Sequence, residues 1–355
     1  MITTHAVRVG LSALGIAALV VTAGCSTRGA DAGSAGSAVP AATSAAQVKV
    51  ALVPGGPHPY FQPWKQALEQ SKTQLGLGGA TFDETAQWDQ AKQNSVLNSL
   101  AAQGYNAFGI FGVSPTDINS TFADLTSKGL AVASLGSCPA GDTNQAAFCL
   151  STDVESAAEK ATQAAIAAMG GQGVLVHLTG NNVDSNTQRR IAGVKKAIDA
   201  TGGKVRLLTT ITDIDTDLQT AQKAVSDLLS AQGGQINGIV TTAYNPAVAA
   251  AAAVKAAGLP IKVVAIDDDP TILAGIHDGS VAATVTQNPV GQEQVGVWAL
   301  SRLATGACTV KTPGESIDSG SFVVDAKNVA TYDNDRQAKT EDLMAQFESS
   351  VLSCK

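Results

Sequence analysis

The feature that most constrains this chain is a repeated alternation between short apolar runs, rich in β-branched residues, and longer segments with a helical pattern. The apolar runs span residues 48–53, 107–113, 131–135, 173–178, 205–210, 238–242 and 263–266. Helix candidates at 63–75, 117–128 and 155–169 are bounded by proline, aspartate or glycine. Strands this apolar, each leading into a helix, are typical of parallel sheets buried on both faces, joined by right-handed crossovers. The pattern therefore predicts an α/β fold.

The globular part of the chain is too long for one hydrophobic core. It begins near Val48, which leaves about three hundred residues, more than a single core usually fills. The sequence therefore predicts two α/β lobes.

Residues 1–24 have the order of a secretory signal peptide. One basic residue, Arg8, precedes the apolar run 11–22, and two small residues stand directly before Cys25. The run is too short for a permanent membrane helix, and small residues before a cysteine are typical of lipoprotein signal peptides. Cys25 is therefore expected to be the lipidated mature N-terminus. An ordinary signal peptide with an incidental cysteine is the alternative, because Thr22 stands where an aliphatic residue is more usual.

Residues 25–47 consist almost entirely of small residues, and Val39 is the one sizeable apolar side chain among them. Such a segment cannot bury a core. It is predicted to be a flexible tether with a mean reach of about 25 Å.

The net charge and the cysteine content indicate which binding partners and which cellular compartment to expect. The net charge is −7 and the basic residues are dispersed, so nucleic acid is not an expected partner. Four cysteines besides the N-terminal one stand in an exported, oxidising setting, and two disulfides are expected among Cys138, Cys149, Cys308 and Cys354. Three pairings are possible. Cys138 and Cys149 are close in sequence, and their pairing would leave Cys308 to bind Cys354 in the C-terminal tail. Buried free thiols are the alternative.

Polar and aromatic residues gather in the loops that follow the predicted strands. These loops are 55–61, 114–117, 136–138, 180–182, 243–246 and 267–270. Ligands of parallel sheets bind beyond the carboxyl ends of the strands, so the loops are expected to line one cleft.

The motifs favour a binding protein over an enzyme. The sequence has no G-x-S-x-G elbow, no phosphate-binding loop, no G-x-G-x-x-G and no His or Cys pair at metal-ligand spacing. No cofactor or metal is therefore expected. His177, inside an apolar strand, is interpreted as a core histidine. The acidic run 267–269 is interpreted as one ligand carboxylate followed by two helix-capping residues, rather than as a cation site.

The order of the motifs resembles the periplasmic ribose-binding family, the type I solute-binding proteins of sugar ABC importers. The similarity covers nearly the whole globular part, and its motifs are KVALVPGGPHPYFQPWKQALEQ, AFGIFGVSPTD, STDVESAAEKA, VVAIDDDP and AATVTQNP. The resemblance implies two Rossmann-like lobes with parallel sheets, joined by a three-segment hinge near 151–153, 286–289 and 319–323. Its implied first lobe is 48–152 with 289–322, and its second is 153–288 with 323–355.

The resemblance also implies which residues contact the ligand. Tyr60 and Phe61 fall on the aromatic walls that sandwich a sugar or polyol, whose C–H faces pack on rings. Arg190 falls on the family's ligand arginine and Asp267 on its ligand aspartate, and the two charges are expected to balance each other. Arg189 is expected to face solvent. The resemblance adds His58 and Gln287, and the cleft loops supply the further candidate ligand residues Ser114, Gly136, Ser137, Tyr244 and Asn245.

The chain departs from the family pattern at two places. Gly136-Ser137 stand where ribose- and galactose-type proteins have Asp-Arg, and Ala243 stands where they have Asn. The ligand is therefore not expected to be ribose; an open-chain polyol, a smaller sugar and a bulkier ring are the alternatives. The candidates to replace the lost contacts are Trp88, Asn181, Asn182, Tyr244 and Asn245.

Together these observations predict an exported, lipid-anchored, monomeric protein. It is expected to capture a sugar or polyol and deliver it to an ABC importer permease, and to touch the membrane only through its anchor. A sensory lipoprotein that presents its ligand to a membrane receptor is the alternative.

Overall fold

The structure, a computed structural model, describes residues 41–141 and 143–355. The predicted signal peptide, the lipidation site Cys25 and nearly all of the predicted tether lie outside this part. Among the described helices, none combines the length and the hydropathy that crossing a membrane requires.

Strands and helices alternate along most of the chain. In chain order the strands are β1 (Lys49–Val53), β2 (Gly79–Phe82), β3 (Ala107–Ile110), β4 (Ala131–Leu135), β5 (Phe148–Ser151), β6 (Gly173–Leu178), β7 (Val205–Ile211), β8 (Gly238–Thr241), β9 (Lys262–Ile266), β10 (Ala283–Thr286), β11 (Cys308–Val310), β12 (Glu315–Asp318), β13 (Phe322–Asp325) and β14 (Leu352–Cys354). The helices are α1 (Gln62–Leu75), α2 (Gln90–Ala102), α3 (Ile118–Ser127), α4 (Val154–Ala168), α5 (Ser185–Asp199), α6 (Leu218–Gln232), α7 (Tyr244–Ala257), α8 (Pro270–Asp278), α9 (Pro289–Ala304) and α10 (Tyr332–Gln346).

Twelve of the described strands form two separate six-stranded sheets, one in each lobe, and β11 pairs with β14 in a small two-stranded sheet. The first has the order β12-β5-β4-β3-β1-β2 and is parallel throughout. The second has the order β13-β10-β9-β8-β6-β7, and β13 alone in it runs antiparallel to its neighbour. The predicted fold class, two α/β lobes with mostly parallel sheets, is confirmed.

The predicted elements follow from burial. Every strand predicted from an apolar run is present, and so are the three predicted helices, with ends displaced by a few residues. In β1 four of the five residues are fully buried, because helices cover both faces of the sheet. Helix α1 ends where Gly76 turns left-handed, with φ 64°, a conformation that glycine adopts without strain.

The chain crosses between the lobes after β5, after β10 and after β12, at the three places where the sequence predicts a hinge. The C-terminal segment differs from its predicted assignment to the second lobe. Helix α10 begins there, with Tyr332 in a second-lobe cluster, but Leu343 and Phe347 pack in the core of the first lobe. The end of the chain thus returns to the first lobe, because its apolar side chains are buried there.

Two disulfides lie in the first lobe. One joins Cys138 to Cys149, and the other joins Cys308 to Cys354. The second pair lies at directly opposed positions of the antiparallel strands β11 and β14. Of the three possible pairings, the structure therefore contains the one in which the tail is bound to residue 308.

Candidate functional site

A cavity of about 400 Å³ lies between the two lobes, among the loops that leave the carboxyl ends of the strands. Its volume is within the range of pockets that enclose small ligands. It is lined by His58, Tyr60, Phe61, Trp88, Phe111, Gly112, Val113, Pro115, Gly136, Ser137, Gly180, Asn181, Asp184, Asn186, Thr187, Arg190, Asp213, Asp215, Thr216, Ala243, Tyr244, Asp267 and Gln287.

The wall contributed by the first lobe is mainly aromatic. The Phe61 ring, 2 % exposed, packs edge to face against Tyr60 and Phe111, with centroids 5.2 and 5.1 Å away. Trp88 packs edge-on against Phe111 at 6.2 Å. Such edge-to-face contacts fix each ring relative to its neighbour. The wall is therefore a preformed apolar surface.

Trp88 reaches this wall because two glycines leave room for its indole. A Cβ atom on Gly55 would lie 2.7 Å from the indole, and one on Gly56 would lie 2.8 Å from it. The Trp88 backbone is left-handed, with φ 57°, and its N–H donates to Gly55 O at 2.7 Å. A tryptophan in this conformation is costly and persists where surrounding contacts hold it, often at ligand sites.

The wall contributed by the second lobe is mainly charged. Arg190 Nη2 donates to Gln287 Oε1 at 3.3 Å, and Gln287 Nε2 donates to Asp267 Oδ1 at 2.7 Å. Arg190 and Asp267 therefore share the cleft, as the sequence predicts, and the amide of Gln287 lies between the two groups. An amide can accept from a guanidinium and donate to a carboxylate at the same time, so it orients both groups.

Asp267 is held in an unusual environment. It is 4 % exposed, its backbone is left-handed with φ 66°, and its N–H donates to Val285 O at 2.9 Å. Burial raises the pKa of Asp267 to about 7, although the hydrogen bond from Gln287 opposes that shift. A carboxyl buried beside a cavity in this way accepts hydrogen bonds from a ligand without competition from water.

His58 lies between the two walls. Its Nδ1 accepts from Tyr60 N at 3.2 Å, and its Nε2 is 3.3 Å from Asp215 Oδ2. Asp215 is in turn positioned by Asn245, whose backbone N–H donates to Asp215 Oδ1 at 2.8 Å. The ring thus bonds a first-lobe group through Nδ1 and lies close to a second-lobe carboxylate through Nε2, without a hydrogen bond at the latter.

Three buried polar atoms that border the cavity have no hydrogen-bond partner in the described part of the chain: His58 Nε2, Thr187 Oγ1 and Arg190 Nε. Buried polar groups are normally satisfied, and exceptions need an explanation. Their gathering around one cavity is typical of a site that a polar ligand completes.

Of the two residues predicted to cap a helix in the acidic run 267–269, only Asp269 does so. Asp269 does cap α8, since its Oδ1 accepts from Thr271 N at 2.7 Å, and its Oδ2 accepts from Tyr244 Oη at 2.8 Å. Asp268 instead accepts a hydrogen bond from Tyr332 Oη, which corrects its predicted capping role. Across residues 41–141 and 143–355, no cluster of three or more His, Cys, Asp or Glu side chains is arranged for a metal ion.

Nine of the eleven predicted ligand residues line the cavity, but Ser114 and Asn245 do not. Ser114 turns back on its own loop, where its Oγ accepts from Asp117 N at 3.1 Å. Asn245 lies behind Asp215 and bonds it through backbone and side chain. Both are corrected to supporting residues. Of the replacement candidates, Trp88 and Asn181 also line the cavity.

The structure adds cavity residues that the sequence reasoning did not include, chiefly Phe111, Asp184, Asn186, Thr187, Asp213, Asp215 and Thr216. A signal for the last three was present, because the stretch Thr-Asp-Ile-Asp-Thr-Asp at 212–217 directly follows a predicted strand.

Two residues outside the site match their predicted roles. His177 is fully buried in β6, where Nε2 is 2.7 Å from Thr242 Oγ1, and burial lowers its pKa to about 3. Arg189 is exposed and pairs with Asp153 at 2.9 Å.

A family model described as a periplasmic binding protein domain matches residues 50–308. The chain belongs to this family. No curated protein sequence matches this periplasmic binding protein significantly.

Solved structures match its fold closely. A solute-binding protein from Burkholderia graminis in complex with D-arabinose is 22% identical, with a TM-score of 0.71 over 80% of this chain and 97% of that one. A myo-inositol-binding protein from Caulobacter bound to myo-inositol is 23% identical, with a TM-score of 0.71 over 80% and 95%. A solute-binding protein from Actinobacillus succinogenes with bound D-allose is 18% identical, with a TM-score of 0.72 over 80% and 100%. At these identities the likeness establishes the fold of this periplasmic binding protein.

Proposed function

We propose that this chain is an extracytoplasmic solute-binding protein that captures a sugar or polyol between its lobes and delivers it to an ABC importer permease. The observation that carries the proposal is the cavity itself, in which an aromatic wall faces the chain of hydrogen bonds from Arg190 through Gln287 to Asp267. A sugar ring or polyol chain has apolar C–H faces and polar hydroxyl edges. The two walls match those two kinds of surface.

Capture is proposed to involve closure of the lobes. Three crossings join them, and such hinges allow two lobes to close around a ligand. Ligand contacts on both walls favour the closed form, because a ligand shifts an equilibrium only by binding one state better. That the solved relatives were crystallised with D-arabinose, D-allose and myo-inositol supports this class of ligand.

The test is a thermal-shift screen of the purified protein without its first 25 residues, against pentoses, hexoses, linear polyols and inositols. A compound that binds only the folded state raises the melting temperature by mass action. At a ligand concentration of about 100 times Kd, the free energy of unfolding rises by about 2.7 kcal/mol. Amino acids and dicarboxylates serve as controls without the polyhydroxyl pattern. A shift of several degrees with at least one polyhydroxylated compound is expected. No shift with any of them would overturn the proposal.

The proposal includes a lipid anchor at Cys25, a monomeric state and a location outside the cytoplasm. An anchor keeps the protein near its permease and raises the local concentration without any further contact. Cys25→Ala in the full chain is expected to release the protein from the membrane fraction while ligand affinity stays unchanged. Retention of the variant in the membrane fraction would contradict the anchor.

A further inference from the structure

Gln292 is a buried residue at which the cleft and all three lobe crossings meet. It lies in the first turn of α9 and is 0 % exposed. Its Oε1 accepts from Tyr60 Oη at 2.9 Å, and Tyr60 lines the cavity. Its Nε2 donates to Ser319 Oγ at 2.9 Å and to Thr152 Oγ1 at 3.3 Å. One amide therefore contacts the aromatic wall and two separate crossings.

The third crossing joins the same set of hydrogen bonds. Gln287 O accepts from Thr152 Oγ1 at 3.1 Å and from Ser319 Oγ at 3.2 Å, and it lies 3.3 Å from Gln292 Nε2. The side chain of Gln287 continues to Arg190 and Asp267 in the second lobe. The bonds thus run from the first-lobe wall, through the crossings, to the second-lobe wall.

The backbone around this cluster leaves room for it. Gly136 has φ 75°, and a Cβ there would lie 3.0 Å from the Phe111 ring and 3.6 Å from Gln292 Oε1. Gly136 O also accepts from Ser151 Oγ at 3.0 Å. In the family pattern this position carries an aspartate, so the glycine is a departure that suits a polar cluster at the hinge.

We infer that Gln292 is a positioning residue that couples the Tyr60 side of the cleft to the angle between the lobes. Both ends of its amide are satisfied in the conformation observed, and a change of lobe angle moves the three crossings relative to one another. Such a movement leaves buried donors or acceptors unpaired, which is costly because the groups of this cluster are shielded from bulk solvent. The cluster therefore favours particular lobe angles, and the orientation of Tyr60 is linked to them. The inference rests on the proposed lobe closure.

The test uses ligand-free protein, so a failed ligand screen leaves it intact. Two amides report on the crossings directly: Ser319 N donates to Ser151 O at 3.0 Å, and Asp153 N donates to Asp318 Oδ1 at 2.9 Å. Hydrogen–deuterium exchange by mass spectrometry follows both. In Gln292→Met, which keeps the volume but loses the amide, we expect exchange at these positions to be about ten- to a hundredfold faster.

Gln93 provides a matched control in the same lobe. It is also 0 % exposed, and its amide bonds Phe111 O at 2.8 Å and Val113 N at 3.1 Å, away from the crossings. Gln93→Met is expected to accelerate exchange around its own loop, with crossing amides as in the wild type. Equal acceleration of the crossing amides in both variants would show general destabilisation and would overturn the inference.

Tyr60→Phe tests the link to the cleft and needs only the loss of one hydroxyl, so it remains informative if Gln292→Met does not fold. It is expected to accelerate the same crossing amides, by a smaller factor than Gln292→Met. In the double variant the two factors should not multiply, because both changes break one shared hydrogen bond. Wild-type exchange at the crossings in Tyr60→Phe, or multiplied factors in the double variant, would refute the coupling.

Discussion

The two lobes share a fold but present different chemistry to the cleft. The first lobe contributes rings, held in place by one another and by the backbone space at two glycines. The second lobe contributes Arg190 and four carboxylates, Asp184, Asp213, Asp215 and Asp267. An apolar wall attracts a ligand face without fixing its hydroxyls, whereas charged hydrogen bonds are directional. Under the proposed function, the first lobe supplies shape and the second lobe supplies orientation, so a ligand meets both only when the lobes close around it.

The largest expected effect comes from the charged wall. Arg190→Ala or Asp267→Ala should each weaken binding of a polyol found in the thermal-shift screen by about 2–5 kcal/mol, because the ligand loses a strong hydrogen-bonding partner in a desolvated site and the groups bonded to that partner are left unpaired. Arg190→Lys should also bind the polyol weakly, since a lysine ammonium cannot donate to two adjacent hydroxyls as a planar guanidinium does. Isothermal titration calorimetry measures the loss.

Arg189→Ala is the matched control for this prediction. Arg189 is adjacent in sequence and equally charged, but its side chain is 45% exposed and pairs with Asp153. Exposed pairs contribute about 0–1 kcal/mol, so affinity should change by no more than that. A greater loss in Arg189→Ala than in Arg190→Ala would mean that the charged wall has been assigned to the wrong residue.

The second prediction concerns pH and the buried carboxyl of the charged wall. The pKa of Asp267 is raised to about 7 by burial, whereas in an unfolded chain an aspartate titrates near pH 3.9. Between these values the folded state binds more protons, so this group makes stability fall as pH rises from about 4 through about 7. Asp267→Asn should therefore reduce the loss of unfolding free energy between pH 5 and pH 8, measured by urea denaturation without ligand.

Two other buried groups also have shifted pKa values. Comparing wild type with Asp267→Asn separates the contribution of Asp267 from theirs. Burial also raises the pKa of Glu293 to about 8, which acts in the same direction, and lowers the pKa of His177 to about 3, which reduces stability as pH falls below about 6.5. Both contribute equally to wild type and Asp267→Asn, because they are unchanged in the variant. Identical pH dependence in the two proteins would contradict a raised Asp267 pKa.

The origin of the two walls also explains how far the sequence could predict the site. Tyr60, Arg190 and Asp267 lie in motifs that resemble those of the family, and Asp267 directly follows the apolar strand β9. Their convergence could therefore be predicted from the resemblance together with the strand order. The contact between Trp88 and Gly55-Gly56 joins distant segments, and nothing local in the sequence marks it. The placement of Gln287 between two charges depends on side-chain geometry, which the sequence alone does not contain.

The elements of the fold also divide into those that the sequence could predict and those that it could not. Strands rich in β-branched residues were predictable, whereas β2 was not, because all four of its residues are only partly buried and its pattern is weak. The return of α10 to the first lobe depends on where Leu343 and Phe347 find an apolar core. One of the three pairings that the sequence left open, Cys308 with Cys354, would have implied this return, since Cys308 was assigned to the first lobe.

The third prediction concerns the aromatic wall. Gly56→Ala places a Cβ 2.8 Å from the Trp88 indole, so the ring must move. Affinity for the same polyol is expected to fall about tenfold, near the 0.5–1.5 kcal/mol that a well-placed aromatic pair contributes. Gly234→Ala is the matched control, because a Cβ there meets nothing within 4 Å. An unchanged affinity in Gly56→Ala would show that the position of Trp88 does not matter to the ligand.

The smallest expected effects distinguish residues that border the cavity from those that support it. Asn245 holds Asp215 through hydrogen bonds at 2.8 and 3.0 Å, of which only the second involves its side chain. Asn245→Ala should therefore lower affinity by about 0.5–1.5 kcal/mol, the usual net contribution of one such bond. Ser114→Ala should change it by less than about 0.5 kcal/mol, because its hydroxyl bonds only neighbouring groups of its own loop. Isothermal titration calorimetry measures both variants. A loss of several kcal/mol in Ser114→Ala would mean that the ligand bonds the Ser114 hydroxyl, and that the first lobe also contributes a directional contact.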